Sequence, residues 1–145
     1  MKIAEIQLNY IRSKETINQH KISNSKDTEA FFRGVWSNKM DYIEEFYLLL
    51  LNRNNSINGY INVSKGGTAG TVVDLKIVFQ AALKTNSQGI IMAHNHPSGN
   101  TKPSEADIIL TKRIKEAGKL MEIQILDHII LTAEGYFSFA DEGMM

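Results

Sequence analysis

No cysteine occurs in the 145 residues. That excludes disulfides and thiolate-held metals, so a bound ion can draw only on imidazole and carboxylate groups. The same absence suits a reducing compartment, and a cytoplasmic protein is the expectation. Charge of one sign is missing as well: 16 basic and 16 acidic residues cancel. Proteins that grip a phosphate backbone normally carry a basic excess or stripe, so nucleic acid is possible as a partner only through a local patch. Long apolar runs are also absent. The longest, Phe46 to Leu51, is far shorter than the roughly 20 residues that a membrane-spanning helix needs. Met1-Lys2-Ile3-Ala4-Glu5 lacks the apolar core of a signal peptide, so no membrane partner is expected. What is present is a 43% apolar fraction, enough to build a real core in one domain over 1–145.

Proline is scarce, and both copies fall in one stretch, Ala93-His94-Asn95-His96-Pro97-Ser98-Gly99-Asn100-Thr101-Lys102-Pro103-Ser104-Glu105-Ala106-Asp107, with two of the four histidines. If the apolar run from Gly89 to His94 is a strand, His94 and His96 leave the backbone on the same side, roughly 6.6 Å apart. Two imidazoles so placed can bend towards one ion. Pro97 to Asn100 is turn chemistry, and Pro103-Ser104 starts a helix. Behind it Leu110, Ile114, Ala117 and Met121 recur at helical spacing and define a sheet-facing side that Asp107 shares. A carboxylate in that first turn points at the strand end, and the positive end of the helix favours its ionised form. Two nitrogens, one oxygen and an open position suit a catalytic zinc. Each piece has a plainer reading: a surface histidine pair, and a capping box with Ser104 as N-cap and Asp107 near N3. The ordered spacing is what punctuation alone does not explain, with seven residues between His96 and Ser104 and two between Ser104 and Asp107.

Elsewhere the pattern is strand, helix, antiparallel hairpin, helix, strand, helix, strand, strand. Lys2 to Tyr10 alternates like an edge strand, and the polar stretch from Arg12 to Lys26 is a connection, whose His20 has no partner at ligand spacing. Asp27 or Thr28 can cap a helix running to about Trp36, with Ala30, Phe31 and Val35 or Phe32 and Trp36 as its buried stripe. Glu44 to Leu51 is apolar on both sides after its acidic start, as in a central strand. Ile57 to Val63 returns beside it after the turn Arg53 to Ser56. Ser64 to Thr71 is rich in glycine but lacks the ending of a P-loop, and it reads as a loop bordering the groove. Asp74 can cap a helix to about Lys84. Gly118 follows the Asp107 helix, and then come a buried strand from Ile123 to Thr132, a turn, and a closing strand from Tyr136 to Phe139. Neighbouring strand residues face opposite ways. Glu44 and Glu45 therefore cannot both look into one site, and Asp127 and His128 cannot form a side-by-side dyad. An acidic pair also solubilises a strand end.

With these residues the chain resembles the JAB/MPN metalloprotein superfamily and its JAMM motif, an upstream glutamate followed by His-x-His-Pro, a serine and an aspartate. Within it the chain is similar to the RadC branch in His94-Asn95-His96-Pro97-Ser98-Gly99, Pro103-Ser104, Leu126-Asp127-His128 and Ser138-Phe139-Ala140. The likeness covers about 41–145, with 1–40 as an N-terminal strand, polar loop and helix. It implies a cytidine-deaminase-like α/β fold, a single-domain mixed sheet flanked by helices on both sides. It implies that His94, His96 and Asp107 bind one Zn2+, that Glu44, two before Phe46, is the base, and that Ser104 hydrogen-bonds the attacking water or the oxyanion. The implied activity is that of a zinc-dependent hydrolase cleaving an amide or peptide-like bond in a peptide or small-molecule substrate. A DNA repair or recombination accessory is the alternative, as is a metal-dependent nuclease. Fuller RadC proteins carry an N-terminal helix-hairpin-helix region for which 145 residues leave no room. Leu75 and Lys76 stand where the family often has proline and arginine, which keeps a positive charge but loses a guanidinium fork. Asp127 and His128 are expected to be a hydrogen-bonded structural pair without a catalytic role.

Overall fold

The computed structural model describes residues 3–5, 7, 20–66 and 72–145. The edge strand expected over Lys2 to Tyr10 lies largely outside them, as does most of the glycine-rich stretch after Lys65. Eight elements follow: α1 (Ser25–Val35), β1 (Glu45–Leu51), β2 (Ile57–Lys65), α2 (Leu75–Lys84), β3 (Gly89–Asn95), α3 (Glu105–Leu120), β4 (Gln124–Leu131) and β5 (Tyr136–Ser138). They form a five-stranded sheet in the order β2-β1-β3-β4-β5. β3 and β4 run parallel and every other neighbouring pair is antiparallel. The sheet is mixed because α3 is a crossover, which a parallel pair requires, whereas a short turn suffices between β1 and β2.

All residues of β1 and β3 are buried, as expected of central strands covered on both sides. Alternation sorts them into two cores. Phe46, Leu48, Leu50, Ile90 and Met92 pack with α2 and α3 through Val78, Phe79, Ala82 and Ile114. Tyr47, Leu49, Leu51, Ile91 and Ala93 pack on the other side with Phe32 of α1. Helices on both sides of a mixed sheet are therefore present, and the start of β1, the end of β3 and the first turn of α3 position the side chains of the candidate site.

Local details differ from the sequence-based expectation. Helix α1 is capped by Asn24, whose side chain accepts from the Asp27 amide, while Asp27 accepts from the Ser23 amide. Asn24 thus outcompetes Asp27 and Thr28 as the cap, and the first helical turn is taken from what read as a polar connection. Thr28 and Phe32 are its buried residues, with Phe31, Val35 and Trp36 partly covered and Ala30 exposed. At the other end of the chain, α3 runs past Gly118 to Leu120. Gly118 is instead a point of close approach, since a Cβ there would lie 2.6 Å from the Ile123 carbonyl oxygen. Met121 is 44% exposed, so the sheet-facing stripe of α3 ends at Ala117 and Gly118.

Candidate metal centre

His94 is the last residue but one of β3, and the ladder continues one step beyond Asn95, because the His96 amide donates to the Leu131 carbonyl at 2.9 Å. Alternation therefore holds through His96, and both imidazoles project to the α3 side. Phe46 is the cross-strand partner of His94. Continuing that antiparallel register by two residues places Glu44 opposite His96. Asp107 stands at the third position of α3 in a capping box: Ser104 accepts from the Asp107 amide at 3.1 Å, and the Ser104 amide donates to Asp107 Oδ2 at 2.8 Å. The capping and site readings of Ser104-Glu105-Ala106-Asp107 are thus not rivals. The cap is the device that aims the carboxylate.

These elements bring Glu44, His94, His96 and Asp107 together, with one potential ligand atom from each lying within 4.8 Å of the others. His94 Nε2 is 3.0 Å from His96 Nε2. It is 3.2 Å from Asp107 Oδ1, and His96 Nε2 is 3.2 Å from Asp107 Oδ2. An ion with tetrahedral arms of roughly 2.0–2.1 Å separates its donors by about 3.3–3.4 Å. Each of the three printed separations is within a few tenths of an ångström of that spacing, with one Asp107 oxygen turned to each histidine. His96 Nδ1 lies 2.7 Å from the Asn100 carbonyl oxygen, which can only accept. The ring therefore donates there and presents a lone pair at Nε2. A lone pair, a carboxylate and a second imidazole nitrogen that converge in this way fit a cation. The site lies at the edge of the core: His94 is buried and stacked on Phe46, while Glu44, His96 and Asp107 are half-buried. Glu44, His96 and Ser104 open onto one groove, which Lys102 also borders.

Charge follows from this packing. Burial pushes the Glu44 carboxyl up, against the pull of His94 and His96. The neighbouring Asp107 carboxylate raises His96, with burial opposing it. Burial also acts to raise Asp107, but the two imidazoles against its oxygens more than offset that and hold it well below the usual carboxylate range.

Glu45 faces the other way. It is fully buried towards α1 and accepts a hydrogen bond from the Ser37 hydroxyl at 2.6 Å, so it does not solubilise the strand end. Three further residues shape the site without having been marked as part of it. Asn95, between the two histidines and pointing away from them, accepts from the Glu45 amide and donates to the Met40 and Ile43 carbonyls. With the Gly66 amide on the Glu44 carbonyl, it pins the backbone on both sides of Glu44. His128 touches His94, and Thr111 touches His128. A polar residue flanked by two same-facing histidines was the available signal for Asn95; His128 had none, since its placement depends on strand register.

Asp127 and His128 face opposite ways as expected, and the hydrogen bond between them runs from the His128 amide to the Asp127 carboxylate. Asp127 faces α1 and accepts from the His128 amide, the Ala140 amide and the Ser138 hydroxyl, and burial raises its pKa. Asp127→Ala leaves three donors without an acceptor and is expected to cost on the order of 3 kcal/mol in urea denaturation. Zinc affinity should stay unchanged; a loss of affinity at unchanged stability would place Asp127 in the site instead.

Residues 22–144 match the family described as "RadC-like JAB domain". A protein of Flavobacterium johnsoniae named "UPF0758 protein" is 41% identical over 133 residues, covering 92% of this chain and 57% of its own length. Proteins of the same name from Porphyromonas gingivalis and Alkaliphilus metalliredigens are 44% and 37% identical, covering 70% and 89% of this chain and 45% and 55% of their own lengths. The chain thus spans about half the length of the curated relatives it matches. No helix among the described residues is long and apolar enough to cross a membrane. A family match that runs through all five strands and every residue of the four-group cluster leaves one assignment, and the chain belongs to the RadC-like JAB domain family of the JAB/MPN superfamily.

Proposed function

We propose that this protein is a zinc-dependent hydrolase of JAMM type that cleaves an amide or peptide-like bond. The observation that carries the reading is the convergence of His94, His96 and Asp107, with Glu44 beside them at the mouth of an open groove. His94, His96 and Asp107 would hold the ion. Two nitrogens and one oxygen, with no thiolate in the chain, suit zinc and leave a fourth position for chemistry. Zinc supplies acidity to water and polarises a carbonyl.

The chain's own residues do the rest. Glu44 takes the proton from the attacking water and delivers it to the leaving nitrogen. Burial raises its pKa towards the working pH, as this role requires. Ser104 spends a lone pair of its oxygen on the Asp107 amide, and its hydroxyl hydrogen donates to the oxyanion that forms at the scissile carbonyl. The Asn100 carbonyl keeps His96 in its ligating tautomer.

Purified protein should carry zinc by elemental analysis, and a screen of peptides and small amides should find a substrate whose cleavage stops on chelation and returns with zinc. Cleavage that survives complete removal of metal overturns the reading. Cleavage of DNA with no turnover of any amide replaces it with attack on a phosphodiester.

A further inference from the structure

Beyond the four converging groups, a buried file of hydrogen bonds runs from α3 through the sheet to His94. Thr111 Oγ1 lies 2.7 Å from the Asp107 carbonyl oxygen and 2.6 Å from His128 Nδ1. His128 Nε2 lies 2.7 Å from His94 Nδ1. Thr111 is 3% exposed, His128 0% and His94 2%, so water does not substitute for any of these partners.

The direction of the file is fixed at one end. A backbone carbonyl cannot donate, so the single hydroxyl hydrogen of Thr111 points at Asp107. Its oxygen is then free to accept from His128 Nδ1–H. A neutral imidazole with hydrogen on Nδ1 bears a lone pair on Nε2. That lone pair accepts from His94 Nδ1–H, which leaves the lone pair of His94 on Nε2, facing His96 and Asp107.

We propose that Thr111 and His128 are positioning residues that hold His94 in the tautomer with a free Nε2, the form able to ligate a divalent cation. A ligating histidine usually gives its other N–H to a carboxylate, carbonyl or water. Here the acceptor is a second histidine, which alone is ambiguous because it can turn either nitrogen into the donor. Thr111 removes the ambiguity, and it does so through the backbone of Asp107, so one helix turn of α3 supplies both a carboxylate to the site and the anchor of the file. The proposal rests on the metal-binding part of the reading above. Its test therefore includes the metal-free protein.

Thr111→Val keeps shape and removes the hydroxyl. His128 Nδ1–H would then face a methyl group, and the ring relieves this by moving its hydrogen to Nε2, which forces the hydrogen of His94 to Nε2 as well. Long-range proton–nitrogen NMR of the histidine rings, recorded without metal above the histidine titration range, is expected to show His94 protonated on Nδ1 in the native chain and on Nε2 in the variant. Zinc affinity, read by competition with a chelator, is expected to fall about 10- to 100-fold. Thr111→Ser restores the hydroxyl and should bring back native tautomer and affinity. His128→Phe, which preserves the stack on Phe139 at 4.9 Å, should lose zinc affinity like Thr111→Val. A native chain with hydrogen on His94 Nε2 overturns the proposal. So does folded Thr111→Val that has lost stability but keeps native tautomer and affinity; should that variant not fold, native affinity in His128→Phe decides against it in the same way. Native protein that binds no zinc, but whose His94 tautomer still switches on Thr111→Val, leaves the positioning role standing and removes the hydrolase reading.

Discussion

Alanine at both His94 and His96 is expected to reduce bound zinc from stoichiometric to background in elemental analysis at neutral pH. The physical reason is that the double variant keeps only carboxylates where the native site adds two imidazole nitrogens 3.0 Å apart, each 3.2 Å from an oxygen of Asp107. A ligand that binds only the folded state stabilises it by about 2.7 kcal/mol at a hundred times its dissociation constant. Added zinc should therefore raise the melting temperature of the native protein and leave that of the double variant unmoved. The two readouts are complementary, since His94 is buried against Phe46 and its truncation also opens a void that lowers stability by itself. Only the zinc-dependent part of the shift reports on the site. Full zinc content in the double variant would sink the assignment of these histidines.

The convergence of His94, His96 and Asp107 was legible in the sequence because each part obeys a short-range rule. β3 is apolar throughout, so its end is sharp, and a spacing of two puts His94 and His96 on one side whatever the neighbouring strands do. Asp107 follows from the periodicity of α3 together with the cap at Ser104. Glu44 needed more, because alternation says that one of two glutamates faces the site without saying which; the likeness to the family supplied the choice, and the pairing of Phe46 with His94 agrees with it.

What stayed hidden depends on register between strands distant in sequence. Asp127 and His128 visibly face opposite ways, but which of them reaches His94 is decided by an irregularity in the β3–β4 ladder, where the partners step from Ile90 with Ile125 to Ile91 with Asp127. An extra residue in one strand exchanges the two sides of everything beyond it, and no local pattern announces it here. Thr111 was hidden for a related reason. A threonine bonded to the carbonyl four residues earlier is common within helices, and its second bond exists only because β4 brings His128 beneath it.

Glu44→Gln is expected to reduce hydrolysis by roughly 10²- to 10⁴-fold, the contribution typical of a positioned general base, while fold and zinc content stay native. Glutamine keeps the shape of the side chain and loses the proton acceptor. Glu44 lies in the same four-group cluster as His94, His96 and Asp107, so zinc content is the measurement that separates two roles: a base can be replaced without losing the ion, a ligand cannot. Glu45→Gln should leave turnover unchanged, because that side chain points to α1 and its partner is Ser37; any effect belongs in denaturation curves, not in kinetics. The comparison uses a substrate found by the peptide and amide screen. Equal loss of activity in both variants, or loss in Glu45→Gln alone, would show that β1 presents its other side to the metal, and loss of zinc in Glu44→Gln would make Glu44 a ligand in place of a base.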